Sequence, residues 1–351
     1  MIQMGRSVVA LSVLLLVLAI SCSAAVHPGP APTAAAAGAG SPATRAPRAL
    51  VTPAASLTPS AVLPSIAADP VPTSAATPPS AGSGACGTDF PPGDTVEWVE
   101  SGGNWRSFLL HVPEGYSSAR PHPVVFSFHG YGRSASAQHD YTGLWRLADR
   151  FGFILIEPEG WGSPQEWDLA GDYYYDGIDD LIFTTDILHQ VETQLCVDPV
   201  RVYATGFSNG AEMASLVGCR LGDVFAAIAP VSGVEYDGDC VDRPVPVLSF
   251  QGTDDWNVFF DDAPPAMAAW AAHNGCGDTQ VTTDVSASVS AQEYEGCGAA
   301  PVILYVIEGG GHTWPGAADD AGDIGGIGFT THDIDANELM WQFFEAHPLP
   351  S

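Results

Sequence analysis

The pentapeptide Gly206-Phe207-Ser208-Asn209-Gly210 constrains this chain more than any other segment, because of what stands on either side of it. An apolar run, Val202–Thr205, leads in, and a helix-like stretch from Asn209 to Ala214 leads out. A G-x-S-x-G step between a strand and a helix reads as a nucleophile elbow. Its glycines permit a sharp turn that lifts the Ser hydroxyl above the carboxyl edge of a sheet. With 38 Gly in 351 residues the pattern alone is weak; its position makes it informative.

The surrounding pattern agrees with such a sheet. Apolar runs at Ser107–Val112, Val124–Phe128, Phe153–Glu157, Val202–Thr205, Ala226–Val231, Val247–Phe250 and Val302–Ile307 read as strands. Several lack polar alternation, as expected when both faces are covered. Helical segments lie between them, at about Ala137–Arg150, Ile178–Leu195, Asn209–Leu221, Pro264–His273 and Asp335–His347. Alternation of this kind predicts an α/β domain with a mostly parallel central sheet and helices on both faces.

A Ser hydroxyl needs a base to take its proton, and the base needs an orienting acid. On an elbow scaffold these follow in the order Ser, Asp, His, on loops after strands. Val247–Phe250 runs into Gln251-Gly252-Thr253-Asp254-Asp255, and Val302–Ile307 runs into Glu308-Gly309-Gly310-Gly311-His312. His312 is the expected base, with His332 in reserve; Asp255 is the expected acid, with its neighbour Asp254 as the alternative. An oxyanion hole would use the N–H of Asn209, after the nucleophile, and that of Tyr131 in the loop His129-Gly130-Tyr131-Gly132. No metal or organic cofactor is required.

With Phe128-His129-Gly130, Val197–Tyr203 leading into the elbow, Phe225-Ala226-Ala227, and Gly310-Gly311-His312-Thr313-Trp314-Pro315-Gly316 in place, the chain resembles the polyhydroxybutyrate depolymerase and feruloyl esterase family of α/β-hydrolases. The resemblance spans roughly residues 106–347. It implies a Ser208-Asp255-His312 triad and an exported serine esterase acting on plant cell-wall feruloyl or acetyl esters, or on short polyhydroxyalkanoate esters. The rival readings are a binding protein on a hydrolase scaffold and an acyltransferase. Two positions depart from the family: Ala211 stands where Gly is usual, and Gln251 where His is usual. The resemblance also implies a Cys219–Cys240 disulfide, which would leave Cys86 to pair with Cys196. Trp161, Trp167, Trp256 and Trp314 are read, with Tyr131, as an aromatic rim for substrate.

Residues 1–22 read as a signal peptide: Arg6 precedes an apolar run, Val8–Ile20, too short to span a bilayer. Ala19-Ile20-Ser21-Cys22 is an imperfect lipobox, so Cys22 is a candidate for lipidation; Ser23-Ala24-Ala25 offers an ordinary cleavage site instead. Residues 23–85, rich in Ala, Pro and Ser, read as a disordered tether, and residues 86–351 as one catalytic domain. The six remaining Cys suit an oxidising compartment and allow fifteen pairings, of which Cys276–Cys297, flanking one short segment, reads best. Eleven basic against 41 acidic residues give a net charge of −30, which repels nucleic acid and anionic membrane. The expected partner is therefore an ester substrate, small or polymeric, met by an extracytoplasmic monomer whose one route to a membrane is a lipid on Cys22.

Overall fold

In the computed structural model, the residues described are 86–169, 178–318 and 327–350, all within one compact unit, Ala75–Ser351. The signal-peptide, Cys22 and tether readings lie outside the described residues. Among the described residues, twelve strands form in chain order: β1 Gly93–Ser101, β2 Asn104–Val112, β3 His122–Phe128, β4 Ile154–Pro158, β5 Trp161–Gly162, β6 Gln165–Glu166, β7 Val197–Phe207, β8 Ala227–Val231, β9 Val247–Gly252, β10 Gln280–Asp284, β11 Val289–Tyr294 and β12 Val302–Ile307. The helices are α1 Ala135–Thr142, α2 Trp145–Phe151, α3 Asp180–Gln194, α4 Asn209–Arg220, α5 Ala263–His273 and α6 Ala336–Ala346.

Ten strands make one sheet in the order β1-β2-β4-β3-β7-β8-β9-β12-β11-β10. The middle six are mutually parallel, and an antiparallel pair closes each flank. Every residue of β3, β4, β8 and β9 is buried, because each lies inside the sheet with helices on both faces. One face packs Phe183 and Ile187 of α3, Met213 and Val217 of α4, and Met267 and Trp270 of α5. The other packs Tyr141, Leu144 and Ala148 from the α1–α2 region against Met340, Trp341 and Phe344 of α6.

Several segments differ from the sequence expectation. The helix expected over 137–150 is two helices, because Gly143 takes a left-handed φ of 60° and its N–H caps the His139 carbonyl. Strands β1, β10 and β11 and the short β5–β6 pair were not among the expected strands; β1 and β10 show why. β10 is exposed throughout, and β1 turns Val96 and Trp98 outward, so neither shows an inward apolar stripe.

The three disulfides are Cys86–Cys196, Cys219–Cys240 and Cys276–Cys297. The first fastens the first described residue, Cys86, to the residue before β7. The second joins the end of α4 to the loop ahead of β9.

Candidate active site

Strand β7 ends in the elbow. Ser208 sits at φ 57°, ψ −126°, a conformation a non-glycine residue adopts only when its surroundings enforce it. The enforcement comes from both glycines. A Cβ on Gly206 would collide with the Gly210 carbonyl, and one on Gly210 with the carbonyls of Phe128 and His129. The turn is pinned by a Ser208 N–H bond to Val231 O (3.1 Å), while the hydroxyl makes no capping bond to α4. Ala211 is fully buried, and a side chain on Gly233 would begin 3.2 Å from its methyl, so an Ala is accommodated there by the neighbouring Gly.

The loop after β12 brings in His312, buried at the same sheet edge. Its ring lies 4.7 Å, centroid to centroid, from Phe207, the residue before the nucleophile. Nδ1–H donates to Asp255 Oδ2 at 2.8 Å. Asp255 is buried, and its carboxylate takes three further donors: Gln251 Nε2 on Oδ2 (3.1 Å), and the N–H groups of Asn257 (3.0 Å) and Val258 (2.9 Å) on Oδ1. Burial pushes this carboxyl up, but the bond and charge of His312 and the two amides outweigh it and hold the group below its ordinary value. Asp254 and His332 are exposed, and the carboxylate bonded to the imidazole is that of Asp255. The Gln251 side chain also donates to Val258 O (3.0 Å), so it ties the acid to its own loop.

On the other side of Ser208 lies the loop after β3. A Cβ on Gly130 would stand 3.3 Å from that of Ser208, so main chain passes close to the nucleophile. His129 is buried; its Nδ1–H donates to Gly130 O (2.8 Å) while Nε2 accepts from Gly160 N–H (2.9 Å). Burial lowers its pKa, which suits this neutral tautomer. Trp167 Nε1–H donates to His129 O (2.7 Å), and Trp167 N–H donates to Asn209 Oδ1 (2.9 Å). The loop and the start of α4, whose N–H groups of Tyr131 and Asn209 were expected as oxyanion donors, are thus held by one tryptophan.

That finding corrects the expected rim. Trp167 is buried against Phe128 and His129, and Trp314 is fully buried between α1 and α6, with Nε1–H on Asn337 Oδ1 (3.0 Å). Both indoles bracket the loops around Ser208 and His312 and present no open surface, because their N–H groups need partners that the interior supplies. Tyr131 (57% exposed) and Trp256 (60%) do face solvent, and Trp161 is half-buried beside a groove beyond the oxyanion loop. Sequence reasoning passed over His129, Gln251 and the structural part of Trp167. The only sequence signal was the His129-Gly130 step and the Gln251 departure, neither of which names a partner. A second depression, about 570 Å³, opens beside the elbow between Gly233, Val234, Asn257, Val258 and Phe259. Among the described residues no cluster of His, Cys, Asp and Glu could hold a metal ion.

The family Esterase PHB depolymerase matches residues 106–243, a span that holds the His129–Gly132 loop and Ser208. Feruloyl esterase B of Piromyces equi is 32% identical over 233 residues, covering 59% of this chain and 42% of that protein. The chain therefore spans less than half the length of that relative. Feruloyl esterase D of Neurospora crassa is 26% identical over 289 residues, 78% of this chain and 92% of that protein. The chain is thus similar to the polyhydroxybutyrate depolymerase and feruloyl esterase family over its central part. Its fold is that of the α/β-hydrolases: an acetyl xylan esterase from Aspergillus awamori superposes with a TM-score of 0.54 at 15% identity, over 72% of this chain and 99% of that one.

Proposed function

We propose that this protein is an exported serine esterase that cleaves feruloyl- or acetyl-type esters of plant cell-wall polysaccharide through an acyl-enzyme. The observation that carries the reading is the buried Asp255–His312 bond at the sheet edge where Ser208 is held in a strained turn. Feruloyl esterase relatives favour the acyl group, and three disulfides fit an oxidising compartment. Among the described residues no helix is long and apolar enough to cross a membrane.

In the proposed reaction, Ser208 Oγ attacks the ester carbonyl carbon as its proton passes to His312 Nε2. Asp255 keeps Nδ1 protonated and stabilises the imidazolium. The carbonyl oxygen, now negative, accepts from the N–H groups of Tyr131 and Asn209. The C–O bond to the alcohol then breaks, and Nε2–H returns the proton to the departing oxygen. A water molecule repeats the sequence on the acyl-enzyme, releasing the acid and regenerating Ser208. The depression at Gly233, Asn257 and Val258 is the proposed acyl pocket.

The test is release of ferulate from methyl ferulate, and of p-nitrophenol from its acetate ester, by wild type and Ser208→Ala. The expected outcome is turnover by wild type and loss of nearly all of it in the variant. Equal rates, or an inert wild type, would sink the assignment.

A further inference from the structure

The carboxyl edge that bears Ser208 continues outward to a second groove. From β7 the order is β3, β4, β2, β1, four steps of 4.7–4.9 Å, or about 19 Å in all. Along it the oxyanion loop follows β3, and residues 159–166 follow β4. The antiparallel start of β2 lies beside them, since Glu159 N–H donates to Ser107 O (3.1 Å). Here a groove of about 400 Å³ opens between Trp98, Trp105, Trp161, Glu159 and Gln165.

Trp98 is 56% and Trp105 65% exposed. They share one face of the β1–β2 hairpin, because Trp98 pairs with Ser107, two residues from Trp105. The opposite face, with Val99, Arg106 and Phe108, already buries the hairpin on the core beside α3. Folding therefore gives these two indoles nothing to do, and exposing both costs hydration free energy. Trp161 forms the opposite wall; its ring centroid is 5.8 Å from the guanidinium carbon of Arg106. The wall is stiff: Gln165 Nε2 donates to Glu159 Oε1 (2.7 Å), and Gln165 O accepts the N–H of Gly132 from the oxyanion loop (2.7 Å). The groove and the oxyanion loop are thus one hydrogen-bonded piece.

We propose that Trp98, Trp105 and Trp161 form a stacking subsite for the sugar chain whose ester is cleaved at Ser208, an inference that rests on the function proposed above. Pyranose rings offer flat C–H faces to indoles and hydroxyls to a polar rim, and the groove supplies both. The occupant is a neutral chain. A net charge of −30, with Glu100 on the same hairpin face and Glu159 in the wall, repels a polyuronate.

Affinity electrophoresis of the full chain carrying Ser208→Ala, in gels cast with soluble arabinoxylan, tests binding apart from catalysis. Retardation is expected, and adding Trp98→Ala and Trp105→Ala should remove most of it. Trp98→Phe with Trp105→Phe should keep part, and polygalacturonate should retard none of these proteins. In the catalytically intact chain, the double Ala variant should lose about tenfold in kcat/KM on feruloylated arabinoxylan, chiefly through KM. Methyl ferulate, too short to reach across four strands, should be hydrolysed at the wild-type rate. Unchanged retardation, or equal losses on polymer and methyl ester, would overturn the subsite. If wild type cleaves no ester while retardation still depends on the two tryptophans, the esterase reading falls and the subsite stands.

Discussion

Two buried carboxylate–imidazole pairs, one in the loops after β9 and β12 and one between β4 and α1, behave differently. At the site, Asp255 meets His312 at 2.8 Å; near the β1–β2 edge, Glu157 of β4 meets His139 of α1 at 2.7 Å. Asp255 has donors on both oxygens and is held below its ordinary pKa. Glu157 Oε1 has no hydrogen-bond partner among the described residues, and burial pushes the group up to about 7 despite His139. His139 is itself raised: burial opposes its charge, but Glu157, Asp94 and Asp140 overcome it. His111, bonded to Asp94 and Asp149, and the ring of Trp145 face the same cluster. Bond length is thus a poor guide to a pair's chemistry. The number of donors on the carboxylate decides whether it stays ionised to support an imidazolium.

The largest effect should come from Asp255→Asn, which keeps the shape and removes the charge. An expected fall in kcat of about 1,000- to 10,000-fold on methyl ferulate would match a wrong imidazole tautomer. The exposed neighbour serves as control: Asp254→Asn should change kcat by no more than about twofold. A comparable loss in both variants would mean that the acid is misassigned.

Gln251→Ala should lower kcat by about tenfold, one charge-assisted hydrogen bond's worth. It should also move the acid limb of the kcat/KM profile upward, since Asp255 would lose one donor. A lower rate with an unmoved limb would make Gln251 a packing residue only.

The smallest effect concerns stability. A carboxyl with a raised folded pKa binds its proton more tightly when folded, so its contribution is fully present below the unfolded value and is lost as pH rises toward about 7. His139, also raised, contributes in the same direction. Melting temperature should therefore fall between about pH 5 and pH 7.5, and Glu157→Gln should flatten that slope while leaving kcat on methyl ferulate near wild type. Asp255, with its lowered pKa, has the opposite sign: its stabilisation is lost as pH falls below the carboxylate range. An identical slope in Glu157→Gln would remove the pair from the account.

The comparison also shows what could be read in advance. The doubly buried strands were legible because continuous apolar runs such as Val124–Phe128 have few alternatives. Ser208 was legible because a strained turn demands glycine at fixed offsets. The roles of Trp167 and Trp314 were not, because an indole on a strand-end loop can point either way, and the choice is made by distant acceptors such as His129 O and Asn337 Oδ1. Glu157 was equally silent: nothing local marks a carboxylate that the fold will enclose. β1 was hidden because its outward face carries the large apolar residues.

The Cys86–Cys196 link has a mechanical meaning. Any pull on the chain upstream of Cys86 would, without it, act first on β1, an edge strand paired on one side only, and unzip it from β2. With it, tension passes directly into Cys196 at the head of β7, which is flanked by strands on both sides. The hairpin with Trp98 and Trp105, and the segment from β2 through α3, sit in a covalent loop that bears no load. A protein held by its N-terminal segment on a moving surface would keep its outer hairpin seated.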